Sequence, residues 1–376
     1  MANKNLRQTF DVPVFDQLRG FGDLVGLNIR YHAPLLGLAA LTTIFAVAAS
    51  KATGQDAVID FFGFAEMFLL NMLPLSFTVV IVMRFVVMVT TIRPKNPLFW
   101  MAGDLKAIFF SPQRLAAAFP LILAMTVFIN AYTVIKANIP FLQPFAYDPL
   151  FADLDRIVHF GTDPWRLLHP VFSWPVVTYA INFGYNLWFF VMWIVWCLAG
   201  FGKPVEPGHM HFLVAFMLTW LIGGSIGAVV MSSAGPAFFD RLGFSPDPYA
   251  ELMVYLQSVN QSYSIYALGV QDILWAAYKG EQNTVVGISA MPSMHNASAL
   301  LFALWSRRSA PLLFWPLTFF AAVIFFGSIH LAWHYAIDAY VGWAIAWFCW
   351  WIAGRYSSGS KRQRLRLQLV AMSPAR

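Results

Sequence analysis

The stretch HFLVAFMLTWLIGGSIGAVVMS, residues 211–232, contains no Asp, Glu, Lys or Arg. A helix of this length rises about 33 Å, enough to cross a hydrocarbon core about 30 Å thick. Comparable apolar runs lie at roughly 33–50, 62–90, 115–135, 172–200, 290–306, 310–329 and 331–353. The sequence therefore predicts an all-α, polytopic membrane bundle of about eight transmembrane helices, with helical connections on its outer face. The alternating pattern of a membrane β-barrel is missing. A 376-residue chain that is 59% hydrophobic and only 11% charged is not the pair of soluble domains its length alone would suggest.

Basic residues set the orientation. With the N-terminus in the cytoplasm, 17 of the 24 Lys and Arg residues flank the inner ends of the helices. Six (Lys51, Lys136, Arg156, Arg166, Arg241, Lys279) fall on the outer side, and Arg84 lies within the second helix. By the positive-inside rule both termini face the cytoplasm, and the expected location is a bacterial inner membrane. The net charge of +6 is this topology signal, so no nucleic-acid partner is expected. Cys197 and Cys349 sit in apolar runs, where a thiol behaves as a small hydrophobe, and imply neither a disulfide framework nor a metal cage.

Four regions are expected: a leader at 1–30, two helices and a cytoplasmic connection at 31–114, a six-helix core at 115–354, and a basic cytoplasmic tail at 355–376. The leader has no cleavable signal pattern. Its Phe10, Val14, Phe15, Leu18, Phe21 and Leu24 recur at roughly helical spacing, compatible with a helix on the membrane surface or with a mobile segment. Two outer connections, roughly 136–171 and 233–289, are too long for plain loops and are expected to contain helix. In the first, Leu150, Leu154, Ile157 and Val158 share one face, with Asp153, Asp155 and Arg156 largely elsewhere, which predicts an interfacial helix followed by a turn at FGTDP.

Chemistry concentrates in MPSMHNASALL (Met291–Leu301) and SIHLAWHYAIDAYVG (Ser328–Gly342). Polar groups in membrane-buried sequence are costly and mark function. His334 and Asp338 are four residues apart, hence one turn apart on a helix face. The carboxylate can then accept Nδ1–H and leave Nε2 as the basic nitrogen of a nucleophile or general base. Ser293 is placed to cap the sixth helix, with His295 in its first turn. A helix N-terminus of this kind accommodates phosphate oxygens.

PSMH and HYAIDAYVG resemble the second and third signature motifs of the type 2 phosphatidic acid phosphatase superfamily, which read PSGH and SR, five residues, H, three residues, D. The resemblance implies a phosphohistidine intermediate. His334 would be the nucleophile, Asp338 its orienting carboxylate, and His295 the acid for the leaving group and later the base for the acceptor; Ser293 would help hold the phosphate. The sequence departs from the phosphatases at two cations: Ser328 stands where their third motif has arginine, and no lysine precedes an Arg-Pro pair by seven residues, since Arg93-Pro94 is the only such pair and Val86 holds that position. Met294 also replaces the motif glycine. The pattern is more similar to the inositol phosphorylceramide synthase and sphingomyelin synthase branches, whose last motif also reads His-Tyr with Asp four residues after the His.

The expected function is thus transfer of a phosphorylated head group from a donor phospholipid to a lipid acceptor hydroxyl, sphingolipid-like or polyprenyl. Hydrolysis with water as acceptor is the nearest alternative, and a non-enzymatic transporter or scaffold the more distant one. Arg241 in FFDRL and His330 are the candidates for the missing phosphate partner, because a planar guanidinium suits phosphate oxygens and His330 precedes His334 by one turn. Arg156 and Arg166, with His159 and His169 close by, are weaker. His330, His334 and Asp338 at i, i+4, i+8 also offer a metal row, but no further ligand is identifiable and no metal or cofactor is expected. His209 and His211 read as loop residues at a helix start.

Overall fold

Proline punctuates this chain, its fixed φ suiting the first turn of a helix where the missing N–H is not needed. In the computed structural model, which describes residues 21–55, 61–202, 207–281 and 287–359, it occupies the first turn of many helices. The helices of the described residues are α1 (Phe21–Tyr31), α2 (Ala33–Thr53), α3 (Phe62–Ile92), α4 (Pro97–Phe109), α5 (Pro112–Leu142), α6 (Asp148–Val158), α7 (Pro164–Phe172), α8 (Pro175–Gly200), α9 (Gly208–Val230), α10 (Ala250–Asn260), α11 (Tyr266–Tyr278), α12 (Met294–Ser309), α13 (Phe314–His330) and α14 (Ala336–Gly359). The described residues form no strand. The all-α membrane bundle is therefore the observed architecture. Residues 1–20 of the leader, Lys203 and the tail from 360 onward lie outside the described residues.

Among the described residues, seven helices (α2, α3, α5, α8, α9, α13 and α14) are long and apolar enough to cross a membrane. The expected count of about eight comprises these and α12, whose 16 residues rise only about 24 Å. Short as it is, α12 is the hub: it packs against α8, α9, α13 and α14, while α2 lies along α5 on the flank. Packing rather than lipid surrounds it, which is why Asn296, Ser298 and Ser306 can be fully buried.

Several boundaries differ from expectation. The helix read over 331–353 begins at Ala336, and the one read from 290 begins at Met294. α5 continues through Lys136 to Leu142, so Lys136 belongs to a helix and not to a connection. His209 and His211 are buried residues of α9, the latter stacked on Trp350 at 3.8 Å between ring centroids. Arg84 of α3 forms a two-point ion pair with Asp104 of α4 at 2.7 Å, which satisfies its charge beside the apolar face.

The outer connections are helical, as expected. On α6, Leu150, Leu154, Ile157 and Val158 are exposed while Asp148 and Asp155 are buried. The helix thus turns its apolar face away from the protein and its two carboxylates, seven residues apart, into it.

Candidate active site

The site forms where α12 begins. Ser293 is the N-cap of α12, its hydroxyl accepting from the Asn296 N–H at 3.4 Å, and its own N–H donates to the Asp338 carbonyl at 2.9 Å. This second bond ties the start of α12 to the first turn of α14. The approach requires Gly342: a Cβ there would stand 2.6 Å from the Ser293 carbonyl oxygen. At N1 and N2 of α12, Met294 and His295 have N–H groups with no intrahelical acceptor, and no hydrogen bond engages them among the described residues. The capping and the open N–H groups match the expectation for this terminus.

His334 does not lie on the helix that carries Asp338. α13 stops at His330, the Ser328 carbonyl accepts from both the Trp333 and His334 N–H groups, and Ala332 takes the left-handed conformation at φ 58°. α14 then restarts at Ala336. The reach is nevertheless preserved: His334 Nδ1 is 3.2 Å from Asp338 Oδ2, and that oxygen also accepts from the Tyr335 N–H at 3.1 Å. A carboxylate cannot donate, so ionised Asp338 fixes the proton on Nδ1 and leaves Nε2 basic. His295 faces this imidazole edge-on, ring centroids 5.6 Å apart, and is itself packed on Tyr185 at 5.0 Å and Trp188 at 4.1 Å. His295, His334, Asp338 and Ser293 are therefore brought together.

Two carboxylates that the sequence reading did not use hold this turn in place. Asp155 caps α14, accepting from the Ala336 and Ile337 N–H groups at 2.7 and 2.9 Å. Asp148 accepts from the Ala234 and Gly235 N–H groups at 3.0 and 2.7 Å and from the Tyr335 hydroxyl at 2.8 Å. Burial pushes both carboxyls upward, Asp155 to about 7, against the lowering effect of their hydrogen bonds. Their seven-residue spacing, which puts both on one face of the helix opposite its apolar residues, was the available signal.

The other candidates are placed elsewhere. His330 contacts the Thr178 hydroxyl at 3.0 Å and lies among Phe172, His169 and Tyr255. The break after His330 dissolves the i, i+4, i+8 row that a metal would use. Arg241 pairs with Asp272 at 2.6 Å and lies over Trp275, a partner different from the neighbouring acids of its own loop. Arg156 pairs with Asp163, and Arg166 with Glu251. His159 donates Nδ1–H to the Asp155 carbonyl and lies 3.0 Å from the Tyr340 hydroxyl. At the arginine position of the phosphatase motif, the Ser328 hydroxyl receives the Asn296 side-chain amide at 3.2 Å. The charge of Lys136, in contrast, acts on both His295 and His334. A single lysine inside the apolar run IKANIPFL was the signal for it.

The arrangement can do nucleophilic chemistry: a buried imidazole oriented by a carboxylate, a second imidazole opposite, and open N–H groups where an anion would sit. A family model described as the PAP2 superfamily matches residues 150–352, a span holding Ser293, His295, His334 and Asp338 but not Lys136. Comparison with curated proteins and with solved structures gives no match.

Proposed function

The chain belongs to the PAP2 superfamily, and from that premise we propose that it is an integral-membrane lipid phosphotransferase working through a phosphohistidine. His334 Nε2 attacks the phosphorus of a donor phospholipid; the bond to the leaving lipid oxygen breaks, and His295 supplies that oxygen with a proton. An acceptor hydroxyl on a second lipid then gives its proton to His295, attacks the phosphorus, and frees His334. Asp338 keeps the proton on Nδ1 throughout and stabilises the imidazolium character that develops. The packing of His295 on Tyr185 and Trp188 holds its ring in place opposite His334.

The observation that carries this reading is the face-to-edge pair of imidazoles, 5.6 Å apart, with a carboxylate behind only one of them. It supports a division of labour between nucleophile and acid–base. Transfer is favoured over hydrolysis because the nucleophile is enclosed: His334 is 5% exposed and Asp338 0%. The basic-residue bias of the loops supports cytoplasmic termini and a site opening on the extracytoplasmic side of an inner membrane. The absence of the phosphatase cations from Ser328 and Val86 supports the branch that transfers head groups, with a sphingolipid-like or polyprenyl acceptor.

The test is turnover of head-group-labelled donor phospholipid with and without a hydroxyl-bearing acceptor lipid. Label should move to the acceptor and depend on it. Label released only as water-soluble phosphorylated head group, whatever acceptor is present, would replace the transferase with the hydrolase.

A further inference from the structure

We infer that Lys136 and Tyr185 form the phosphate cradle of this site, in place of the phosphatase cations the sequence lacks. The inference rests on the phosphotransfer reading and identifies what holds the anion. Lys136 comes from α5, outside the span shared with the family.

The geometry starts one turn earlier on α5. The Tyr132 ring edge and the Met294 side chain both converge on Gly224 of α9, where a Cβ would stand 2.9 Å from the former and 3.2 Å from the latter. This face of α5 therefore meets the first residue of α12, next to His295. Lys136 is four residues on and shares that face. From the other direction, Gly287 is pressed onto the Lys136 carbonyl so closely that a Cβ would be 2.2 Å away. Three residues later, the Ala290 N–H donates to the Ser233 carbonyl at 2.9 Å and the Met291 N–H to the Ser233 hydroxyl at 3.2 Å, leading the chain into the start of α12. The Lys136 backbone is thus fixed beside the start of α12 from both sides.

No ion pair engages Lys136 among the described residues. The carboxylates nearest the site are committed, Asp338 to His334 and Asp148 to the 234–235 backbone and Tyr335. An ammonium enclosed without a counter-ion is expensive, and an arriving phosphate would supply one. Tyr185 adds an independent sign: its hydroxyl is buried without a hydrogen-bond partner, while its ring stacks on His295. Buried hydroxyls are rarely left unpaired, so this one is poised to donate to a ligand atom beside His295. Together with the open Met294 and His295 N–H groups, the cradle offers one cation and three neutral donors.

The test uses purified protein in detergent with inorganic phosphate as the probe, read by thermal shift and by competitive inhibition of turnover. Wild type should bind phosphate saturably. Lys136→Met, which removes the charge at nearly constant volume, should weaken phosphate by about tenfold or more, and Tyr185→Phe by about three- to tenfold, as expected for lost charge-assisted and neutral hydrogen bonds. Lys136→Arg should recover part of the loss. His334→Ala should keep the phosphate shift while losing turnover, so failure of the nucleophile assignment and failure of the cradle are read separately. Absence of saturable binding in wild type, or equal binding in Lys136→Met and wild type, overturns the inference.

Discussion

Two pairs of buried histidines stand at opposite ends of this bundle with the same spacing. His295 and His334 lie 5.6 Å apart between ring centroids, and so do His32 and His209. Their surroundings separate them. His32 Nδ1 and His209 Nδ1 each donate to a backbone carbonyl, of Asn28 and Ala199, at 2.8 and 2.9 Å, and their Nε2 atoms face one another at 3.4 Å. With both donors spent on carbonyls, the neutral rings present two lone pairs to each other, and no carboxylate engages either ring among the described residues. At the site end, Asp338 polarises one ring, aromatic faces hold the other, and Lys136 acts on both. A pair of imidazoles is helix-joining material; the asymmetry imposed on it is what makes it reactive.

The sharpest way to break this contrast is to remove one ring from each pair. His334→Ala should lower turnover by at least about 10³-fold, since a covalent nucleophile has no substitute, with little loss of thermal stability. His209→Ala should behave oppositely, keeping turnover within about threefold while the cavity left by a buried ring lowers stability by about 2–4 kcal/mol. Turnover in donor-lipid assays and midpoints of thermal unfolding decide it. Full turnover in His334→Ala would return the site-end pair to the same structural class as the other, whereas a wild type that turns over no phospholipid yet moves a lipid or ion would favour the transporter.

The next effect in size comes from erasing the asymmetry while leaving both rings. Asp338→Asn preserves volume, but an amide can donate to His334 Nδ1 and shift the proton to Nε2, the nitrogen that must attack. Turnover should fall by about 10²–10⁴-fold, as for other carboxylate-to-amide changes behind an imidazole, with the KM for donor lipid nearly unchanged. A large KM effect with kcat intact would mean that Asp338 works on binding. Because attack needs neutral His334, the rate should also decline as pH falls through the titration of that imidazole, and the acid limb should change in Asp338→Asn.

What was legible in the sequence follows from which interactions are local. Apolar runs reveal their helices because lipid imposes a length and a composition on each segment independently, and the His334–Asp338 spacing survives because four residues stay within reach even though the backbone breaks between them. The break itself is tertiary: Ser328 turns its carbonyl to two later N–H groups, and the restart at Ala336 depends on Asp155, 181 residues earlier. No periodicity encodes that. The same reason hid Lys136, which reads as one more outer-side lysine until α5 is seen to carry it past residue 135 and Gly287 to clamp it. Arg241 pairs for the same tertiary reason with an acid on α11, Asp272, that sequence distance does not point to.

The smallest predicted effect tests whether the two helix starts at the site have different duties. α12 begins with open N–H groups, whereas α14 begins on a carboxylate, so only the first has its N-terminal field free for substrate. Burial holds the Asp155 carboxyl at about 7, well above its ordinary value near 4. Between those values the folded protein keeps a proton that the unfolded chain has released. Stability must therefore fall as pH rises from about 4 to about 7 and level off above, with a slope of at most about 1.4 kcal/mol per pH unit from this group. Asp155→Asn should remove that slope and, because its amide matches the shape and single carbonyl oxygen of the protonated carboxyl, leave stability at pH 5 within about 1–2 kcal/mol of wild type, while lowering turnover only severalfold because His334 is displaced rather than altered. A stability profile parallel to wild type across this range would show that Asp155 does not titrate on the α14 terminus. Loss of turnover comparable to Asp338→Asn would show instead that the second helix start belongs to the chemistry as directly as the first.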